Sequence, residues 1–185
     1  MRKLIVSFYV SLDGKSADGD NGIRDVMDGI DDPEQEEYYV NRLWEAGAHL
    51  MGRTSYEMMA PFWPTAEHPS AKPMNEIPKI VFSRTLETAD EWTETRIVRG
   101  DTAEEIAKLK DEPGKDLIAH GGTGFLQSLI KLGVVDEYRL WVLPAVTGKG
   151  APLVPELDEA LKLRLVNSTV FKSGILELTY APADK

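Results

Sequence analysis

The feature that most constrains this chain is a repeated alternation in which short apolar runs stop at a glycine or polar corner and a helical pattern follows. Leu4 to Leu12 is rich in Ile, Val, Phe and Tyr and stops at Asp13 and Gly14, which predicts a strand and a turn. Ala48 to Met51 is a second such run, and Gly52, Arg53 and Thr54 turn it into a helical stretch at Ser55 to Met59. Lys79 to Ser83 and Thr95 to Val98 read as further strands, and Thr102 to Lys110 as a helix capped by Asp101 or Thr102. Asp116 to His120 is a strand ending in Gly121, Gly122, Thr123 and Gly124; the helical pattern from Phe125 to Leu132 stops at Gly133, and Val134 to Leu143 is the next strand. Helices that return the chain to the same sheet edge place the strands in parallel. The C-terminal third differs: Leu161 to Val170 and Gly174 to Tyr180 are alternating runs separated by Lys172 and Ser173, an antiparallel hairpin. The expected fold is α/β, one domain over residues 1–185, with a mostly parallel sheet and an antiparallel edge.

Two stretches interrupt the alternation. Asp18 to Glu37 holds nine acids against one base, Arg24, and includes Gly19, Gly22, Gly29 and Pro33, so its first half reads as a long polar loop. A helix is expected to begin near Pro33, capped by Asp31 or Asp32, and to run through Leu43 and Trp44 to Gly47. Pro61 to Pro78 reads as an irregular proline-rich segment. The chain has a formal net charge of -10, which argues against a general binder of nucleic acid or anionic membrane. Cysteine is absent, which excludes disulfides, a cysteine nucleophile and zinc-thiolate deaminase chemistry. The basic start Met1–Lys3 precedes an apolar run too short for a membrane span, and a cytoplasmic location is the expectation.

Three strand-to-turn junctions carry the functional signal: Gly52, Arg53, Thr54 and Ser55; Ser83, Arg84 and Thr85; and Gly121 to Gly124. In a parallel sheet these corners share the edge where ligands bind. Glycine admits close backbone approach, helix N-terminal N–H groups attract anions, and arginine adds bidentate bonds. Such a rim suits a ligand with more than one phosphate. Alternatively, the glycines only permit tight packing and the arginines are solvated. Asp13 reads either as a turn former or as a site acid, and one of Glu36 and Glu37 is expected to face inward. His49, His68 and His120 lack ligand-like spacing, no glycine-flanked serine elbow occurs, and no metal is expected beyond the alternative of Mg²⁺ held between Asp18 and Asp32.

Five segments in order, VSFYVSLDGK (Val6–Lys15), LMGRTSYE (Leu50–Glu57), KIVFSRTL (Lys79–Leu86), HGGTGFLQSLIKL (His120–Leu132) and DEYRLWVLPAVTGKGAPL (Asp136–Leu153), resemble the dihydrofolate-reductase-like superfamily. Within it, the chain is most similar to stand-alone relatives of the C-terminal reductase domain of the bifunctional riboflavin-biosynthesis deaminase-reductase. The resemblance implies a three-layer fold, an NADPH site at the strand ends, and hydride transfer to a C=N bond or ring-opened sugar carbon of a small-molecule substrate. It maps Gly52, Arg53 and Thr54 to a pyrophosphate and 2′-phosphate corner, Ser83 and Arg84 to an adenosine-phosphate turn, and Gly121, Gly122, Thr123 and Gly124 to a second phosphate-contacting turn. Asp13 is the first choice for the substrate side and Glu36, where dihydrofolate reductases carry their pterin-binding carboxylate, the second. The resemblance also implies a homodimer, through the strand carrying Trp141. Dihydrofolate reductase proper and a non-catalytic nucleotide sensor are the alternatives.

Overall fold

In the computed structural model, which describes residues 1–16 and 23–183, the first strand sets the architecture. β1 (Leu4–Ser11) lies between β5 (Asp116–Gly121) and β6 (Glu137–Leu143), parallel to both. Its Leu4, Ile5 and Val6 are buried on both faces, as expected of a central parallel strand with an uninterrupted apolar run. Parallel pairing continues outward through β2 (Ala46–Gly52), β3 (Lys79–Phe82) and β4 (Thr95–Val98). On the other side β8 (Leu176–Pro182) runs antiparallel to β6, and β7 (Leu163–Val170) antiparallel to β8. The eight-stranded order is β4-β3-β2-β5-β1-β6-β8-β7. This is the mixed α/β sheet with a C-terminal hairpin that the sequence predicts.

Helices cover both faces. On one, α5 (Thr102–Asp111) and α6 (Thr123–Lys131) place Ile106, Leu109, Leu126 and Leu129 on Leu4, Val6, Leu50 and Leu117. On the other, α2 (Pro33–Leu43), α3 (Arg53–Met59) and α4 (Ala71–Glu76) pack Leu43, Tyr56 and Met74 with Met51, Val81 and Trp92. There α1 (Ile23–Asp28) supplies Ile23 to a cluster with Trp141, Leu143 and Phe171. Asp32 caps α2 by accepting from the Gln35 N–H at 3.2 Å, and its other oxygen accepts from the Ser173 N–H at 2.9 Å.

Three sequence expectations are revised. The stretch read only as proline-rich contains α4, whose Pro73 occupies the first turn, where a missing N–H costs nothing. Part of the acidic segment is α1, anchored by fully buried Ile23; Ala17–Gly22, with Asp18 and Asp20, lies outside the described residues. Strand β6 starts at Glu137; Asp136 just before it donates its N–H to the Leu4 carbonyl, accepts from the Leu4 N–H through its side chain, both at 2.9 Å, and pairs with Lys110.

Buried charge sits beneath the second half of α2. Glu177 Oε1 accepts from Arg42 Nη2 at 3.1 Å and Thr179 Oγ1 at 2.8 Å, with Arg139 Nε at 3.7 Å. Arg139 also reaches Glu45 at 3.0 Å and Glu137 at 3.1 Å. Removing one member of such a network leaves a buried charge without its partner. Glu177→Ala should therefore lose about 3–5 kcal/mol, read as a lower urea midpoint with an unchanged slope.

Candidate functional site

The three glycine and arginine corners lie side by side. β3, β2 and β5 are consecutive in the sheet, with Gly52 opposite Phe82 and Met51 opposite Gly121, so the residues following them occupy one rim. Gly52 precedes α3 in extended conformation and no side chain caps the helix, and Gly122 does the same for α6. At both helices the N-cap residue is a glycine and brings no side chain of its own to the first turn. Arg53 and Thr54 are exposed, and Arg53 Nη1 forms an exposed ion pair with Glu57 Oε1 one turn on at 3.7 Å. Ser83 Oγ accepts from the N–H groups of Thr85 and Leu86 at 3.2 and 2.9 Å and so shapes the turn that presents exposed Arg84. Arg84 has no ion pair among the described residues. Thr123 is buried and its Oγ1 donates to Ser16 Oγ at 2.6 Å, while Gly124 faces open space.

Behind this rim a cavity of about 400 Å³ opens between the sheet and helices α1 to α4. Helix α2 turns Asp32, Gln35, Glu36, Tyr39 and Leu43 toward it, a 3.6-residue periodicity, whereas Glu37 is exposed. Tyr9, Tyr39 and Trp141 form an aromatic wall, with centroids 5.0 to 5.7 Å apart. Burial raises the Tyr9 hydroxyl well above its ordinary value and the Tyr39 hydroxyl to about 12. Rim and cavity meet at Gly121, joined to Gly122 by a cis peptide bond. With φ of 144°, a Cβ there would lie 3.1 Å from Phe8 Cε2 and 3.4 Å from Ser55 Oγ, so glycine is required both for conformation and for space. Phe8 and Ser55 both line the cavity.

The two candidate acids separate. Glu36 lines the cavity, its carboxylate 3.7 Å from His68 Nε2. Asp13 is not among the lining residues: it accepts from Ser11 Oγ at 2.7 Å and from the N–H groups of Thr147 and Gly148 at 3.1 and 3.0 Å. The Ser11 bond foremost, with those two N–H groups, brings its carboxyl down to about 2. Asp13 thus ties the end of β1 to the loop after β6.

Several lining groups went unnamed as site residues in the sequence. Ser70 is 1% exposed and its Oγ has no hydrogen-bond partner; its signal was lost in the proline-rich stretch. Gln35 donates to the Tyr9 hydroxyl at 3.1 Å, a pairing that sequence spacing does not reveal. His120 also lines the cavity and sits 2.8 Å from His49 Nδ1, while His49 Nε2 is 3.3 Å from the Pro73 carbonyl. A carbonyl only accepts, so His49 Nε2 carries the proton and its Nδ1 accepts from His120 Nε2–H. Burial keeps both imidazoles neutral, His120 at about 4 and His49 well below its ordinary value. Among the described residues no group of three His, Asp or Glu side chains is arranged to hold a metal, and none of the described helices is long and apolar enough to cross a membrane.

Residues 2–176 match the family model described as the RibD C-terminal domain. The chain belongs to the RibD C-terminal domain family. It is 33% identical over 184 residues to the uncharacterized protein YyaP of Bacillus subtilis (strain 168), covering 97% of this chain and 94% of that one. A crystal structure from Shewanella sp. PV-4, whose name assigns it to riboflavin biosynthesis, superposes with a TM-score of 0.78 at 25% identity, covering 97% and 98% of the two chains. Dihydrofolate reductase from Enterococcus faecalis, solved with NADP(H), gives a TM-score of 0.65 at 16% identity, covering 98% and 97%, and so shares the fold. This RibD C-terminal domain protein therefore has a dihydrofolate-reductase-like α/β fold.

The histidine pair makes a pH prediction. Both imidazoles have folded-state values below the ordinary 6.5. Between pH 6.5 and about 4 the unfolded chain binds protons that the folded chain refuses, so their contribution is full above pH 6.5 and lost as pH falls through this window. Urea unfolding at stepped pH should give a falling midpoint across that interval, with a smaller fall in His120→Gln.

Proposed function

We propose that this protein is an NADPH-dependent reductase acting on a C=N bond or carbonyl of a pterin, pyrimidine aminoribose or similar small molecule. The observation that carries the reading is the neighbourhood of Gly121, where the glycine rim stands beside Phe8 and Ser55 in the wall of an aromatic-lined cavity of about 400 Å³, a size ordinary for a small-ligand site. The residues fit the cofactor: a glycine precedes each of helices α3 and α6, and Gly121, with φ of 144°, brings backbone close to Phe8 and Ser55 of the cavity wall.

In this reading the first-turn N–H groups of α3 and α6 bind phosphate, with Thr54 and Thr123 beside them, and exposed Arg53 and Arg84 add charge-assisted bonds. A reduced nicotinamide bound there supplies a hydride. Phe8, Tyr9, Tyr39 and Trp141 exclude water and hold a planar ring against the sheet edge, which is catalysis by proximity and orientation. Glu36, on the inward face of α2, accepts from an amino-substituted ring edge and is the substrate-side carboxylate of this proposal. Asp13 is assigned instead to positioning the Thr147–Gly148 loop. The proton is drawn from a carboxylic acid or ordered water.

The assembly proposal moves from Trp141, which is fully buried in an interior strand, to the open face of the hairpin. Glu177 and Thr179 point into the protein on one face of the hairpin; on the other, half-buried Leu176 and Leu178 stand beside Leu163, Leu165 and Val170, the last 75% exposed. This apolar face carries no charged side chain from β7 or β8 and is complementary to itself, the condition for a two-fold pair. Light scattering should give a dimer for the wild type and a monomer for Leu165→Glu/Val170→Glu.

Calorimetric titration should detect NADPH binding, and absorbance at the nicotinamide band should fall with a dihydropterin or pyrimidine aminoribitol substrate. Binding without consumption of any of them favours the sensor alternative, and consumption confined to dihydrofolate favours dihydrofolate reductase proper. Arg84→Ala should weaken NADPH about tenfold or more, the value of a charge-assisted hydrogen bond, and leave NADH within about twofold. Equal weakening would remove Arg84 from 2′-phosphate recognition.

A further inference from the structure

Resting on the cavity as the substrate site of that reductase, we infer that it selects an uncharged or cationic planar heterocycle and discriminates against the phosphate monoester of the same ring. The charge balance of the lining motivates this. Asp28 and Asp31 are exposed, Asp32 stands at the head of α2 and Glu36 follows one turn later, against a single arginine, Arg24. Arg24 lies across α3, with Nη2 4.0 Å from Met58 Sδ. Lys15, the basic residue preceding this segment, bridges Pro152 and does not line the cavity. A phosphate arm leaving the aromatic pocket would meet three or four carboxylates and one guanidinium. Repulsion at such distances acts on affinity and weakens with salt.

A second feature points to a polar ring rather than an apolar ligand. Ser70 lines the cavity, is 1% exposed, and its Oγ is without a hydrogen-bond partner. A buried hydroxyl left unmatched is costly, and a ligand that bonds it recovers that cost. With Glu36 on α2 and Ser70 at the head of α4, the pocket offers an acceptor to ring amino groups and a hydroxyl to a ring nitrogen or carbonyl. Tyr9, Tyr39 and Trp141 cover the ring itself.

The test uses 6-hydroxymethylpterin and its phosphate monoester, titrated into the full chain and read by quenching of Trp63 and Trp141, both of which line the cavity. The unphosphorylated pterin should bind at least about tenfold more tightly. Asp28→Asn/Asp31→Asn should narrow that ratio to about threefold or less, as should about tenfold more salt. Ser70→Ala should weaken both ligands by a similar factor, about fivefold. Equal or tighter binding of the ester, failure of both ligands to bind, or a ratio unmoved by the double variant overturns the inference. NADPH titration of the same protein separates the two proposals. Pterin preference without NADPH binding removes the reductase and leaves the selection; NADPH binding with ester preference does the reverse.

Discussion

Burial of β1 on both faces is the constraint from which the rest of the molecule follows. A strand that exposes neither side must be flanked by strands and roofed by helices above and below, and parallel neighbours then deliver their C-terminal ends to one edge. Gly52, Ser83 and Gly121 reach that edge through separate stretches of sequence, yet the register Gly52–Phe82 and Met51–Gly121 aligns them to within a residue. The rim is a by-product of hydrophobic packing at the centre, and its chemistry was free to be written into the corners.

Those corners were legible in the sequence because each is local: an apolar run, then a glycine or serine with an arginine or threonine, leading into helical periodicity at two of the three. That one of Glu36 and Glu37 turns inward was legible from the helix, and the structure puts Glu36 there with Asp32, Gln35, Tyr39 and Leu43. What escaped is non-local or locally disguised. Pro73 concealed α4, and with it Ser70 and the carbonyl that fixes the His49 tautomer. The run of acids concealed α1, because the one residue that anchors it, Ile23, gains its burial from Trp141 and Phe171 far along the chain. Asp13 followed a strand and preceded a glycine, which fits a site acid and a turn former equally well. Its donors at Thr147 and Gly148 lie far along the chain, where local sequence could not show them.

The C-terminal hairpin inverts the usual distribution of polarity. Glu177 and Thr179 of β8 point inward, where Arg139 of the neighbouring β6 and Arg42 of α2 meet Glu177, while Leu163, Leu165 and Val170 of β7 stay exposed. A network of this kind contributes little net stability compared with an apolar core of the same shape. It does fix which face of β8 belongs to the fold, because a one-residue slip would expose the network and bury the leucines.

The two oxygens of Asp32 belong to different parts of the molecule: one ends helix α2 at the cavity, the other holds the backbone of Ser173 in the turn between β7 and β8. A single carboxylate is thereby the rivet between the wall of the pocket and the hairpin. Ligand that orders one end of α2 also restrains the tip of the hairpin, and by thermodynamic reciprocity whatever grips the hairpin tip is felt in the pocket.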